Sequence, residues 1–167
     1  MRHAVTALLI LLVGGSVLWA GTGRPNEIFG GVAADADSGD GMAGFSVGYA
    51  HYFTGNFGLV SDFRGHFQDS REYYQWLAGP RYTFNRGGWV SPFVHGLAGI
   101  GHHNFPEWVQ PWGGADTTMF VAGGGVGLDV RLSRNTSLRP LQLDFLRQMG
   151  DVDRTHIGYT FALTFRF

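Results

Sequence analysis

The sequence predicts an all-β fold: an eight-stranded antiparallel up-and-down transmembrane β-barrel. Long segments alternate large apolar with small or polar side chains. Short turn sequences rich in Gly and Asn separate every second pair of them. Beyond the N-terminal segment no apolar run is long enough for a spanning helix, whereas a barrel hides its apolar surface in alternation.

The first element is a leader. Arg2 and His3 precede an apolar run from Ala4 to Val13, then Gly14-Gly15-Ser16 and Val17-Leu18-Trp19-Ala20. Basic, apolar, then small is the order of a secretory signal peptide, and the run is too short and interrupted for a membrane helix. We expect residues 1–20 to be the signal peptide and 21–167 the barrel domain, with cleavage after Ala20 or, alternatively, after Gly23.

The strands follow in order. Glu27–Ala34 and Gly41–Phe53 are the first pair. In Phe57–Phe67, Phe57, Leu59, Phe63 and Phe67 oppose Gly58, Asp62, Arg64 and His66. In Tyr73–Phe84, Tyr74, Trp76, Tyr82 and Phe84 oppose Tyr73, Gln75, Gly79, Arg81 and Thr83. In Val90–His103, Val90, Val94 and Ile100 oppose Ser91, His95, Gly99 and His103. In Met119–Leu132, Phe120, Ala122, Val126, Leu128, Val130 and Leu132 oppose Gly123, Gly125, Gly127, Asp129 and Arg131. Thr136–Met149 is less regular: Leu138-Arg139-Pro140 breaks its phase, which predicts a bulge near Pro140. The last strand, Thr155–Phe167, is the cleanest. Ile157, Tyr159, Phe161, Leu163, Phe165 and Phe167 share one face, while His156, Gly158, Thr160, Ala162, Thr164 and Arg166 share the other. Its length exceeds the soluble-strand mode of about 5–6 residues and covers the roughly 9–11 of a tilted membrane strand.

Residues 54–56, 85–88 and 133–135 are short turns, and the connections near 35–40, 68–72, 104–116 and 150–154 are longer. With both termini in the periplasm, the turns face the periplasm and the longer loops face outside. Phe53, Phe57, Tyr82, Phe84 and Trp89 cluster at the turn side, as an aromatic girdle does.

Composition agrees. The chain has 167 residues, 27 of them Gly, with 15% aromatics and no Cys. That suits one strand-rich domain and removes disulfides, thiolate metal sites and cysteine nucleophiles. Twelve basic against 13 acidic residues give no footprint for nucleic acid.

Several strings carry a resemblance. They are Leu59-Val60-Ser61-Asp62-Phe63, Gly79-Pro80-Arg81-Tyr82, Ser91-Pro92-Phe93-Val94-His95-Gly96, Gly123 to Val130, and Arg139-Pro140-Leu141-Gln142-Leu143-Asp144-Phe145. In order and spacing, roughly from Asn26 to Phe167, the chain resembles the small eight-stranded barrels of the outer membrane protein A-like group. The likeness is to stand-alone members without a peptidoglycan-binding domain. It implies a bacterial outer-membrane location, outer-membrane lipid around the barrel, and delivery by periplasmic chaperones to the barrel-assembly machinery. It also implies an assembly signal at Tyr159, Phe161, Leu163, Phe165 and Phe167.

The alternation collects Asp62, Arg64, His66, Arg81, His95, Asp129, Arg131, Gln142, Asp144, His156 and Arg166 on the inner faces. An eight-stranded barrel is just wide enough for its own side chains, so these should pair as an internal polar network. A narrow conductance path for ions or very small solutes is the alternative use, making the chain porin-like. Some barrels of this scaffold are lipid A deacylases, which use a His with a Ser two residues on. Here His156 is followed at that spacing by Gly158, His95 by Leu97, His66 by Gln68 and His51 by Phe53. No catalytic residue is therefore expected. His102 and His103 point to opposite faces of a regular strand, so no metal site is expected, and no cofactor. Gly123-Gly124-Gly125-Val126-Gly127 lies within a strand and lacks the dinucleotide spacing. In the long loop, Trp108 and Trp112 are candidate contacts for a partner, beside the plainer reading of a loop folded back on the rim. A monomeric, non-catalytic envelope scaffold with surface loops is the expected role.

Overall fold

In a computed structural model, residues 24–36, 41–68, 71–104, 117–149 and 154–167 are described. The leader, the cleavage positions at Ala20 and Gly23, and the loop holding Trp108 and Trp112 lie outside them. Eight strands follow one another: β1 (Asn26–Ala36), β2 (Gly41–Tyr52), β3 (Phe57–Gln68), β4 (Arg71–Thr83), β5 (Val90–Asn104), β6 (Thr117–Arg131), β7 (Thr136–Met149) and β8 (Arg154–Arg166). Each pairs antiparallel with its sequence neighbour, and β8 closes on β1.

Closure is staggered. Pro25 accepts a backbone hydrogen bond from Tyr52. From Tyr52 the pairing runs through Gly58, Arg81, His95, Gly125, Asp144 and Gly158 to Asp35, ten residues beyond Pro25 on the same strand. That stagger tilts the strands by about 35–45° and sets a narrow bore.

Tight turns occur where the sequence supplies their chemistry. Thr54 Oγ1 accepts from the Phe57 amide at 3.0 Å, and Ser133 Oγ from the Thr136 amide at 3.1 Å. The β4–β5 turn places Asn85 at φ 48° and Gly87 at φ 116°, a conformation open to Asn and Gly. The turn end also holds both ends of the barrel, with Asn26 and Phe167 exchanging backbone hydrogen bonds.

Burial alternates along the strands. Ile28, Val32, Phe63, Trp76, Ile100, Phe120, Phe145, Phe161 and Leu163 are exposed on the outer wall. A soluble protein does not surround itself with such a belt; a lipid-facing barrel requires it. The irregularity near Pro140 is a bulge. Arg139 pairs with Ala162 and Gln142 with Thr160, so Pro140 and Leu141 together oppose Phe161 and both face outward. The β6–β7 ladder shifts at the same height, between Leu128 and Val130. Without this extra residue, Arg139 and Gln142 could not both point inward.

Candidate functional site: the polar interior

The bore contains two charged clusters. The first lies near the turn end. Arg166 Nε donates to Glu27 Oε1 at 2.9 Å. Arg139 grips Asp129 with two nitrogens, Nε to Oδ1 at 2.8 Å and Nη2 to Oδ2 at 3.3 Å. Arg81 Nη2 reaches the same Oδ2 at 3.3 Å. Three buried aromatics carry the guanidinium planes. Arg81 lies 3.6 Å from the Phe93 centroid, Arg139 lies 4.6 Å from Phe93 and 4.5 Å from Phe29, and Arg86 lies 3.7 Å from Tyr52. Stacking lets a delocalised cation be buried with fewer acceptors than an ammonium needs. Arg86 comes from the β4–β5 turn and donates to Glu27 at 3.3 Å and to the Arg24 carbonyl, so its side chain crosses the turn end of the bore.

The second cluster is at mid-height. Arg64 donates to Asp62 from Nε at 2.9 Å and Nη2 at 2.6 Å, and Nη2 also reaches Asp144 at 2.5 Å. Ser46 donates to the other Asp62 oxygen at 2.8 Å. Asp144 further receives Gln142 Nε2 at 2.8 Å and contacts His95 Nε2 at 2.5 Å. Gln142 joins the clusters, because its Oε1 accepts from Arg139 at 3.0 Å. Two glycines make the room. A Cβ on Gly125 would stand 1.9 Å from Asp144 Oδ1, and one on Gly127 2.2 Å from the Phe93 ring.

Toward the loop end the bore changes character. Leu77, Leu97, Val121 and Leu146 are buried inside it. Near them His66 Nδ1 lies 3.2 Å from Asp35 Oδ2, and Tyr73 stacks on His103 with centroids 4.2 Å apart.

Of the inner residues expected from sequence, Asp62, Arg64, His66, Arg81, His95, Asp129, Gln142, Asp144, His156 and Arg166 are buried. The two clusters collect all of these except His66 and His156, which lie with Asp35 at the loop end. Arg131 takes the inner side of its strand, opposite the buried Ser137. It is half-buried at the turn end, and its side chain makes no hydrogen bond or ion pair with a described residue. As the last residue of β6 it lies beyond the level at which Asp129 is shared. Glu27, Arg139 and Asp35, also buried, belong to the interior and are absent from the expected set. So do Phe29, Tyr52, Tyr73 and Phe93: the inner wall is not uniformly small or polar. The terminal-strand residues Tyr159, Phe161, Leu163, Phe165 and Phe167 are exposed on the outer wall. Every basic residue of the chain is Arg, and none is Lys.

His95 faces the Asp144 carboxylate. His102 Nδ1 lies 3.2 Å from Thr118 Oγ1 on the exposed side of the β5–β6 ladder. No three His, Cys, Asp or Glu side chains among the described residues converge as metal ligands.

No protein-family model and no curated protein matches the chain. Solved structures do. Neisserial surface protein A aligns with a TM-score of 0.61 at 14% identity, covering 85% of this chain and 96% of that one. The attachment invasion locus protein Ail of Yersinia pestis aligns at 0.59 and 20% identity, covering 86% and 99%. The N-terminal β-barrel domain of Pseudomonas aeruginosa OprF aligns at 0.58 and 17% identity, covering 87% and 100%. The likeness is one of fold: the chain has the architecture of the small eight-stranded outer-membrane barrels.

Proposed function

We propose that this chain is a bacterial outer-membrane protein with a structural role in the envelope, a non-conducting and non-catalytic scaffold that carries its longer connections outside. Its short turns, with Asn26 and Phe167 beside them, then face the periplasm, and Phe167 with its alternate neighbours serves the assembly machinery. The observation that carries this reading is the charge pairing that bridges the interior. Arg64 spans the bore between Asp62 and Asp144, and Arg139 ties Asp129 to Gln142. An ion entering would have to displace charge-assisted bonds that the clusters already make among themselves. The buried apolar side chains of Leu77, Leu97, Val121 and Leu146 add a segment with no charge to carry an ion.

Planar-bilayer recording tests this. The purified barrel is expected to give no single-channel steps. Reproducible steps that vanish when Arg81 or Asp144 is changed would replace the scaffold with a narrow pore. The Arg139–Gln142–Asp144 chain is the one observation in favour of that second reading, because it runs continuously along the bore. The catalytic alternative is read by mass spectrometry of lipid A from cells with and without the gene, where identical acylation is expected. Surface-binding assays of a Trp108→Ala, Trp112→Ala variant test the loop as a contact surface.

A further inference from the structure

The charges of this barrel are sorted along its axis. Arg24, Arg81, Arg86, Arg131, Arg134, Arg139 and Arg166 lie in the turn-end half, where the acids are Glu27 and Asp129. Both acids are buried and already shared, Glu27 with Arg166 and Arg86, Asp129 with Arg139 and Arg81. The turns themselves, residues 53–56, 84–89 and 132–135, contain no Asp or Glu. Arg81, Arg139 and Arg166 are buried with those acids, whereas Arg24, Arg131 and Arg134 have no acidic partner among the described residues, so the turn end carries a cationic excess.

Part of that surface is ordered as a rim. Arg24 Nη1 donates to the Arg134 carbonyl at 2.8 Å and to the Asn135 side chain, which draws two guanidinium-bearing residues together across the end of β8. The Arg134 side chain is exposed and makes no hydrogen bond or ion pair with a described residue. The Arg24 guanidinium is thus tied to neutral oxygens and keeps its full charge, and with the exposed Arg134 it gives the rim two cations that attract an anionic surface. The same arc of the barrel carries exposed apolar groups. Trp89 is 79% exposed, and its carbonyl accepts from the Arg131 amide. Leu132 and Phe167 are exposed on either side of the arginines. Exposed apolar groups at the same end as exposed cations match a lipid: acyl chains against the apolar groups, phosphate against the guanidinium groups.

We propose that the turn-end rim around Arg24 and Arg134 binds the phosphate head groups of anionic phospholipids in the adjoining leaflet. The proposal rests on the membrane reading above. Electrostatic attraction of an arginine to an anionic surface is worth about fivefold in partition per residue, and it falls with ionic strength.

The test uses the purified full barrel folded into phosphatidylcholine vesicles, with and without added phosphatidylglycerol. Folding in each is read by heat-modifiable gel migration, and lipids retained on release are counted by native mass spectrometry. We expect phosphatidylglycerol to be retained about fivefold or more above its share in the vesicle. The Arg24→Gln, Arg134→Gln variant should return that ratio to parity while still folding, and Arg134→Lys should keep part of it. A folded wild-type barrel without preference, or an undiminished preference in the double variant, overturns the proposal. Equal occupancy by excess inorganic phosphate in pure phosphatidylcholine also overturns it, in favour of a free-anion site. Failure to fold in either vesicle overturns the membrane reading instead.

Discussion

Replacing Arg64 by Met is expected to lower folding stability by about 3–5 kcal/mol, the cost of leaving a buried charge without its partner. Arg64 is fully buried and holds two carboxylates at once, Asp62 and Asp144. Met fills a similar volume, so the loss comes from charge rather than from a cavity. Asp62 keeps only Ser46, while Asp144 keeps Gln142 and His95. Urea titration of the vesicle-folded barrel, followed by tryptophan fluorescence, reads the shift in midpoint. The diagnostic comparison is Asp62→Asn, Arg64→Met, Asp144→Asn. Removing the whole set of charges should recover most of the loss, as replacing complete buried ion sets by neutral groups often does. A triple variant as unstable as the single one would mean that Arg64 acts by packing.

A methyl group at Gly127 should have the second-largest effect. Its Cβ would stand 2.2 Å from Phe93 Cζ, and that ring carries both Arg81 and Arg139. The ring cannot retreat without unstacking two buried cations. Gly127→Ala is therefore expected to cost about 1–3 kcal/mol by overpacking. Gly96→Ala is the control, because the nearest atom to its Cβ lies 4.0 Å away. Adding Phe93→Leu to the Gly127 variant should restore part of the midpoint. If Gly96 and Gly127 respond alike, the effect belongs to strand propensity rather than to the ring.

The strand phases were legible because lipid enforces them: the outer wall is predominantly apolar, so alternation survives along most of it. Strand ends were placed within two residues of those observed. The interior was less legible. In β1, Ile28 and Phe29 are both large and apolar, and only the structure shows that Phe29 turns inward. It fits because Gly48 on β2 lacks a side chain, as Gly127 does for Phe93. That signal lies across two strands and is not visible along one. Glu27 was missed for the same reason, since the phase of β1 decides its face. Arg139 was missed because the bulge reverses the phase at Pro140: the break could be seen, but not the side to which each residue would turn.

The circular closure has a consequence in time. Every strand pair but one joins neighbours in sequence, so seven ladders can zip up from hairpins. The β1–β8 seam must wait for almost the whole chain, and its Glu27–Arg166 contact spans 139 positions. Until then both edge strands expose unpaired backbone and a half-assembled core of arginines. A pair of reporters at Ile28 and Phe165, which face each other across that seam, should therefore come together in the slowest folding phase, after the hairpin signals are complete.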